Sequence, residues 1–246
     1  MPPPGTPLPP ALTRALLQAR TWGFLGEGPI EIHVAHALGF AEAAEAAAPP
    51  PDGAPAESPT QAGPWMDLGS GGGIPGLVLA HHWPHRQATL LDSNERRCRF
   101  LMQVVGELGW EDRIRIENIR AEVGGREERL RGRFSLVVAR SFGAPPVTAE
   151  CGSPFLRLGG FLVVSEPPSS SSDEPPSSSS DEEADDARWP VESLARVGLE
   201  RSSLWRHTFG YRVLRQSREC PDEFPRRVGV PAKRPLYRVG GTPPAR

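Results

Sequence analysis

The run Asp67-Leu-Gly-Ser-Gly-Gly-Gly-Ile74 joins a short apolar segment to a helix-forming one, and its residue types suit a loop that cradles a ligand. Gly69, Gly71 and Gly73 allow a tight turn and a close backbone approach to a ligand, and Gly72 adds freedom. A helix opening directly after such a loop offers unpaired N–H groups and the positive end of its dipole. The G-x-G-x-G spacing differs from the G-x-G-x-x-G of dinucleotide sites, and no Gly-Lys-Ser/Thr follows, which excludes a P-loop. Asp67, at the strand end, points to a ligand with an ammonium or hydroxyls rather than a pyrophosphate. Asp92 closes the next apolar segment, where a carboxylate accepts hydrogen bonds from ribose hydroxyls. The two acids and the glycine loop, in that order, form the pattern of an S-adenosylmethionine site.

These residues need an alternating scaffold to bring them together. Residues 64–68, 88–92, 114–118, 134–139 and 159–165 read as strands, being short apolar or β-branched runs. Between them, 74–83 and 94–109 read as helices, the second with Phe100, Leu101, Val104, Val105 and Leu108 at helical spacing and Gly109 as its stop. A weak helix is expected over 148–156, broken near Pro154, and another over 190–198, ending at Gly198. Two further strands split by Gly210 read as a terminal antiparallel hairpin. The β–α alternation predicts an α/β fold with a mostly parallel, doubly wound sheet.

The chain has 246 residues with 28 basic and 30 acidic side chains, so the net charge of −2 announces no polyanion partner by itself. The distribution is more informative. Residues 166–187 carry Glu166, Asp173, Glu174, Asp181, Glu182, Glu183, Asp185 and Asp186 and no base, with PPSSSSDE repeated in tandem. This segment is expected to be a disordered acidic insertion, because it holds too little apolar area to offset ordering entropy. Residues 196–246 are strongly basic, and the Pro-spaced run with Arg226, Arg227, Lys233 and Arg234 reads as an extended arm on RNA phosphates that cannot be helical. The division expected is a helical N-terminal region and linker over 1–60, a cofactor-binding domain over 61–216, and the arm over 217–246. Three scattered cysteines without a C-x-x-C pair fit a reducing compartment. No 18-residue apolar run or signal layout is present, so a cytoplasmic protein without membrane contact is expected. His81, His82 and His85 lack partnered acids at ligand spacing, and no metal is expected.

DLGSGGGIPGLVLA, LLDSNERRCRFL, Arg120-Ala121-Glu122, VVARSFG and the tail FPRRVGVPAKRPL resemble, in this order, the small-subunit (16S) rRNA guanine-N7 methyltransferases, the glucose-inhibited division protein B family. The resemblance implies a Rossmann-like class I methyltransferase fold, S-adenosylmethionine as cofactor, and rRNA or the small ribosomal subunit as partner of a monomeric enzyme. It matches Gly69 and Ile74 to cofactor-contacting positions, Ala121 and Glu122 to an adenine-side pair, and Arg140 to the arginine ending the fourth strand. Three departures fall on the substrate side: the N-terminal region keeps His36 but not the family's Asp-Ser, Glu166 replaces a lysine, and the acidic repeat follows it.

Guanine N7 attacks a methyl group without losing a proton, so positioning suffices and no catalytic base is expected, with Arg140 the one candidate for a direct role. No N-P-P-aromatic motif stands after the fourth strand, which argues against exocyclic-amine chemistry. Phe142 suits base stacking and core packing equally. Two alternatives share these residues: a diverged methyltransferase on another RNA or a small molecule, and a non-catalytic cofactor-binding, ribosome-associated protein.

Overall fold

The computed structural model describes residues 8–47, 63–167 and 186–239. Two helices, α1 (Pro10–Thr21) and α2 (Ile30–Ala47), precede β1 (Trp65–Leu68), α3 (Gly76–His82), β2 (Ala88–Asp92), α4 (Glu95–Glu107) and β3 (Ile114–Asn118). Then follow α5 (Ala121–Gly124), β4 (Phe134–Ala139), α6 (Pro145–Gly152), β5 (Leu156–Glu166), α7 (Val191–Ala195), β6 (Leu199–Arg206), β7 (Gly210–Gln216) and α8 (Val230–Lys233). The strands form one sheet in the order β3-β2-β1-β4-β5-β7-β6. β1 to β5 are mutually parallel, and β7 enters antiparallel between β5 and β6. The chain therefore winds outward from β1 to β3, then restarts on the other side of β1 with β4. That reversal opens a crevice at the carboxyl ends of β1 and β4, where ligands of such sheets bind.

Alternation along the strands divides the apolar side chains between two faces. Trp65, Leu90, Val138, Val163 and Val213 face a core built with α1 to α4, through Leu16, Phe40, Leu77 and Phe100. Met66, Leu91, Val137, Leu162 and Leu214 face a second core with Trp189, Leu194, Phe224 and Tyr237. α4 begins where it does because the Asn94 side chain accepts from the N–H groups of Arg96 (3.0 Å) and Arg97 (3.2 Å). α2 crosses β7 closely enough that Tyr211 donates its hydroxyl to the His36 carbonyl at 2.6 Å. A Cβ on Gly39 would stand 2.3 Å from that hydroxyl, so glycine is required there.

The strands anticipated at 88–92, 114–118 and 134–139 coincide with β2, β3 and β4. The helix expected over 148–156 is displaced. α6 starts at Pro145, since proline is at home in a first helical turn, and Ser153–Phe155 continues as a single 3-10 turn. The acidic repeat lies, for residues 168–185, outside the described residues. Its flanks belong to the fold: half-buried Glu166 ends β5, pairs with Arg188 and accepts from Trp189 Nε1 at 2.7 Å, and Asp186 pairs with Arg201.

The C-terminal run is not an extended arm. It folds back, burying Phe224, Leu236 and Tyr237, and Val230–Lys233 forms one helical turn with Pro231 in its first positions. The sequence reading failed here because proline blocks only helix interiors. Glu150 of α6, 0% exposed, takes two hydrogen bonds from the Arg226 guanidinium, at 2.8 and 2.6 Å, and a third from the Arg226 N–H. Arg226 is thereby committed inside the protein. Arg226→Ala leaves a buried carboxylate unpaired. It is expected to destabilise the fold by about 3 kcal/mol, the low end for such truncations because Arg226 is partly exposed. That corresponds to roughly 6–12 °C in melting temperature. Arg227→Ala, on an exposed side chain, should stay within about 0.5 kcal/mol of wild type by calorimetry, and equal effects of the two would refute the assignment.

Candidate cofactor and substrate site

The glycine loop sits at the switch point because β1 ends in Leu68 and α3 starts at Gly76. Gly69, Gly71 and Gly73 have φ of 80°, 55° and 92°, which side chains with a Cβ rarely adopt. Asp92, at the tip of β2, holds this loop: its Oδ2 accepts the Gly71 N–H at 2.9 Å and its Oδ1 the Asn94 N–H at 2.8 Å. Asp67 lies beneath the loop, 0% exposed, with Oδ2 accepting the Gly76 N–H at 2.9 Å and Oδ1 buried without a hydrogen bond. Gly73 packs against Leu77, and Ile74 is buried in the core.

Gly69, Asp92, Ala121 and Glu122 come together around one cleft of about 190 Å³, whose other walls include Leu91, Arg97, Ile119 and Phe142. Glu122 is buried, and its Oε1 accepts from Gly229 N–H at 3.0 Å and Arg120 at 3.2 Å. Burial works to raise the Glu122 pKa, but those hydrogen bonds outweigh it and hold the carboxyl below its usual range. Asp67, Gly71, Gly73, Ile74 and Arg140, also expected at the cofactor, do not line this cleft. A wider hollow of about 320 Å³ opens beside Ala88, Ile114 and Phe134, the first residues of β2, β3 and β4. It lies at the wrong end of a parallel sheet for a switch-point ligand.

Arg140, directly after β4, does not line that cleft and turns toward α2. Its guanidinium donates to His33 Nδ1 at 2.9 Å, so the ring proton belongs on Nε2, which lies 3.2 Å from the Gly26 carbonyl. Burial pushes the Arg140 guanidinium pKa down, with nearby Asp67 opposing. His33 was not singled out from the sequence; the signal was its i, i+3 spacing from His36 on α2. His36 instead stacks on Phe209 at 4.6 Å, and burial foremost, then Arg140 and His33, pushes its pKa down to about 4. Phe142 closes over the loop, and a Cβ on Gly69 would meet its ring at 2.7 Å.

The residues fit an adenosyl cofactor. A Cβ on Gly71 would enter space with no neighbour nearer than 3.7 Å, a cradle that a ligand can share with the bare backbone. Asp92 and Ala121 border the cleft, an acid and a small residue of the kinds that a ribose and a planar base require. Among the described residues, no group of three or more His, Cys, Asp or Glu could hold a metal ion, and no helix is long and apolar enough to cross a membrane.

Asp67 yields a pH test. Burial pushes its carboxyl up from 3.8 to about 7, against the pull of the Gly76 N–H. The folded state then binds this proton more tightly than the unfolded one. The resulting stabilisation is complete below about 3.8 and is lost as pH rises through about 7. Asp67→Asn keeps an acceptor for Gly76 and cannot ionise. Its melting temperature minus that of wild type should therefore grow as pH rises from about 4 to about 8. A difference independent of pH would show that the carboxyl is not raised.

Comparison with known proteins agrees with this geometry. Residues 55–173 match the model of a family described as rRNA small subunit methyltransferase G. A protein named ribosomal RNA small subunit methyltransferase G from Prochlorococcus marinus (strain MIT 9303) is 36% identical, over 70% of this chain and 67% of its own. A relative of the same name from Thermotoga neapolitana is 35% identical, over 71% of this chain and 72% of its own. A solved structure of a putative O-methyltransferase from Klebsiella pneumoniae shares the fold, with a TM-score of 0.55 at 14% identity, over 86% of this chain and 91% of that one. A Corynebacterium glutamicum protein does so with a TM-score of 0.52 at 18% identity, over 87% and 93%. With curated relatives more than 30% identical over two thirds of their length, and with the glycine loop, Asp92 and Arg140 inside the shared region, the chain belongs to the rRNA small subunit methyltransferase G family.

Proposed function

We propose that the protein transfers a methyl group from S-adenosylmethionine to N7 of a guanine in small-subunit rRNA. The observation that carries this reading is the switch-point cleft of a family member: an Asp92-held glycine loop on one side and Phe142 on the other, with Arg140 next to it at the end of β4. When bound, the cofactor supplies an electrophilic methyl on a sulfonium. The chain's own residues bind and orient. Gly69 and Gly71 keep the loop bare, Asp92 fixes its height, and Ala121 with Ile119 offers an apolar wall to a planar base. Guanine N7 carries an in-plane lone pair, so the site needs no proton acceptor. Its task is to exclude water and align the nucleophile. Arg140, fixed by His33, does not fork guanine O6 and N7 together, since that would block the nucleophile; it suits a phosphate or the cofactor's carboxylate. Phe142 offers a ring face to the target base. The enzyme is read as a monomer working in the cytoplasm, where its rRNA substrate resides.

Mapping N7-methylguanine in small-subunit rRNA tests this. One site should vanish on gene deletion and return with wild type but not with Gly71→Arg, whose side chain fills the cradle. An unchanged methylation map would sink the reading.

The exposed cations of the folded-back C-terminal segment, Arg227, Lys233 and Arg234, are proposed to contact RNA phosphates, whereas Arg226 is occupied by Glu150. Changing these three to Gln should weaken binding to small-subunit rRNA and reduce the salt slope by about 2–3. Cofactor affinity by calorimetry should stay at the wild-type value, because the glycine loop and Asp92 are untouched. An unaltered salt slope would assign the three residues to solvent alone.

A further inference from the structure

The α1–α2 turn and the start of α4 build a second surface beside the crevice. Trp22 follows the last residue of α1 and is 48% exposed, unusual for the largest apolar side chain. Its ring meets Phe24 at 5.7 Å and Phe100 at 5.6 Å, both edge-on, and the two phenyl rings meet at 5.8 Å. Together with Arg96, Arg99 and Gln103 these rings line a cleft of about 340 Å³. The Arg96 guanidinium lies 6.0 Å over the Phe24 ring, and exposed Arg99 pairs with Glu95 at 3.2 Å.

The charge here is mixed: Glu95 also stands in the first turn of α4, and Arg97 pairs with Asp92 at 3.7 Å, which leaves Arg96 as the cation set against the dipole. Arg96 and Arg97 stand in the first turn of α4, where the helix dipole disfavours cations. An anion beside Arg96 converts that remaining conflict into an attraction. Exposed aromatic faces rimmed by guanidinium groups and an amide suit a flat base whose phosphate is nearby. A paired duplex presents no such free face. The surface also lies next to the crevice. Arg97, adjacent to Arg96, lines the cofactor cleft, and the Phe24 carbonyl lies 2.9 Å from where a Cβ on Gly72 would stand.

We infer that the Trp22–Phe24–Phe100 face captures one unpaired nucleotide of the substrate RNA, stacking its base on Trp22 and holding its phosphate between Arg96 and Arg99. The inference rests on the RNA-methyltransferase reading and adds the single-stranded character of the RNA near the target.

The test uses the full chain with two probes: a fluorescent 12-nucleotide single-stranded RNA read by anisotropy, and deproteinised small-subunit rRNA read by methyl transfer. Trp22→Ala should weaken single-strand binding about tenfold. It should raise KM for rRNA more than it lowers kcat and leave the cofactor dissociation constant in place. A 12-base-pair duplex should not sense the change. Trp22→Phe should restore binding, while Trp22→Leu, apolar but without a ring, should not. Arg96→Gln with Arg99→Gln should reduce the single-strand salt slope by about one or more. A Trp22→Leu protein that binds and methylates like wild type overturns the proposal, even if Trp22→Ala fails to fold. So does a dimer, seen by light scattering, that Trp22→Ala abolishes while RNA affinity persists, since the face is then a protein interface. Failure of the underlying reading looks different: wild type then transfers no methyl to rRNA, whatever the anisotropy shows.

Discussion

The Asp92 carboxylate joins three elements that the sheet order alone only brings near one another. One oxygen takes the Gly71 N–H from across β1, and the other takes the Asn94 N–H at the head of α4. The acid thus sets the height of the glycine loop against β2 and the direction in which α4 departs. A hydrogen bond to a charged acceptor contributes more than a neutral one, and this one is largely shielded from water. With the loop pinned, Asp67 can cap α3 through Gly76, and Phe142 can lie against Gly69. The cofactor cleft and the aromatic face on α4 both take their positions from that carboxylate.

Two more buried acids are held by the C-terminal segment rather than by solvent. Glu150 receives Arg226, and Glu122 receives Gly229 N–H, whose φ of 78° turns the chain toward it. Glu122 also borders the cleft beside the glycine loop, so the tail braces that wall. Phe224, Leu236 and Tyr237 enclose this region with apolar packing on the same face of the sheet as Trp189. A tail that the sequence presents as a cationic appendage is therefore part of the wall, and only its exposed cations remain available to a polyanion.

The parallel strands were legible in the sequence because buried strands read as short apolar runs, and the glycine loop because its spacing is tied to a backbone shape. Asp92 was legible from its place at the end of β2, though not its grip on Gly71, which lies 21 residues away. What escaped depends on distant partners. α6 is shifted because proline starts a turn as readily as it breaks a helix, and the outcome hangs on Glu150 meeting Arg226, 76 residues later. His33 and His36 share one helix and one apolar surrounding in the sequence. Only the fold turns the first to Arg140 and the second to Phe209.

That distinction bears on how such a site can work without a base. The nucleophile contributes its own lone pair, so the protein's contribution reduces to holding groups still. Arg140 is restrained by a histidine that is itself restrained by the Gly26 carbonyl, which ties the position of Arg140 to the α1–α2 turn. The same turn carries Trp22 and Phe24 and touches the glycine loop near Gly72. One short connection therefore reaches the arginine through His33, touches the glycine loop and carries two rings of the aromatic face. Displacing it disturbs all three together, whereas the sheet beneath, covered on both faces by helices and tail, gives no comparable route between them.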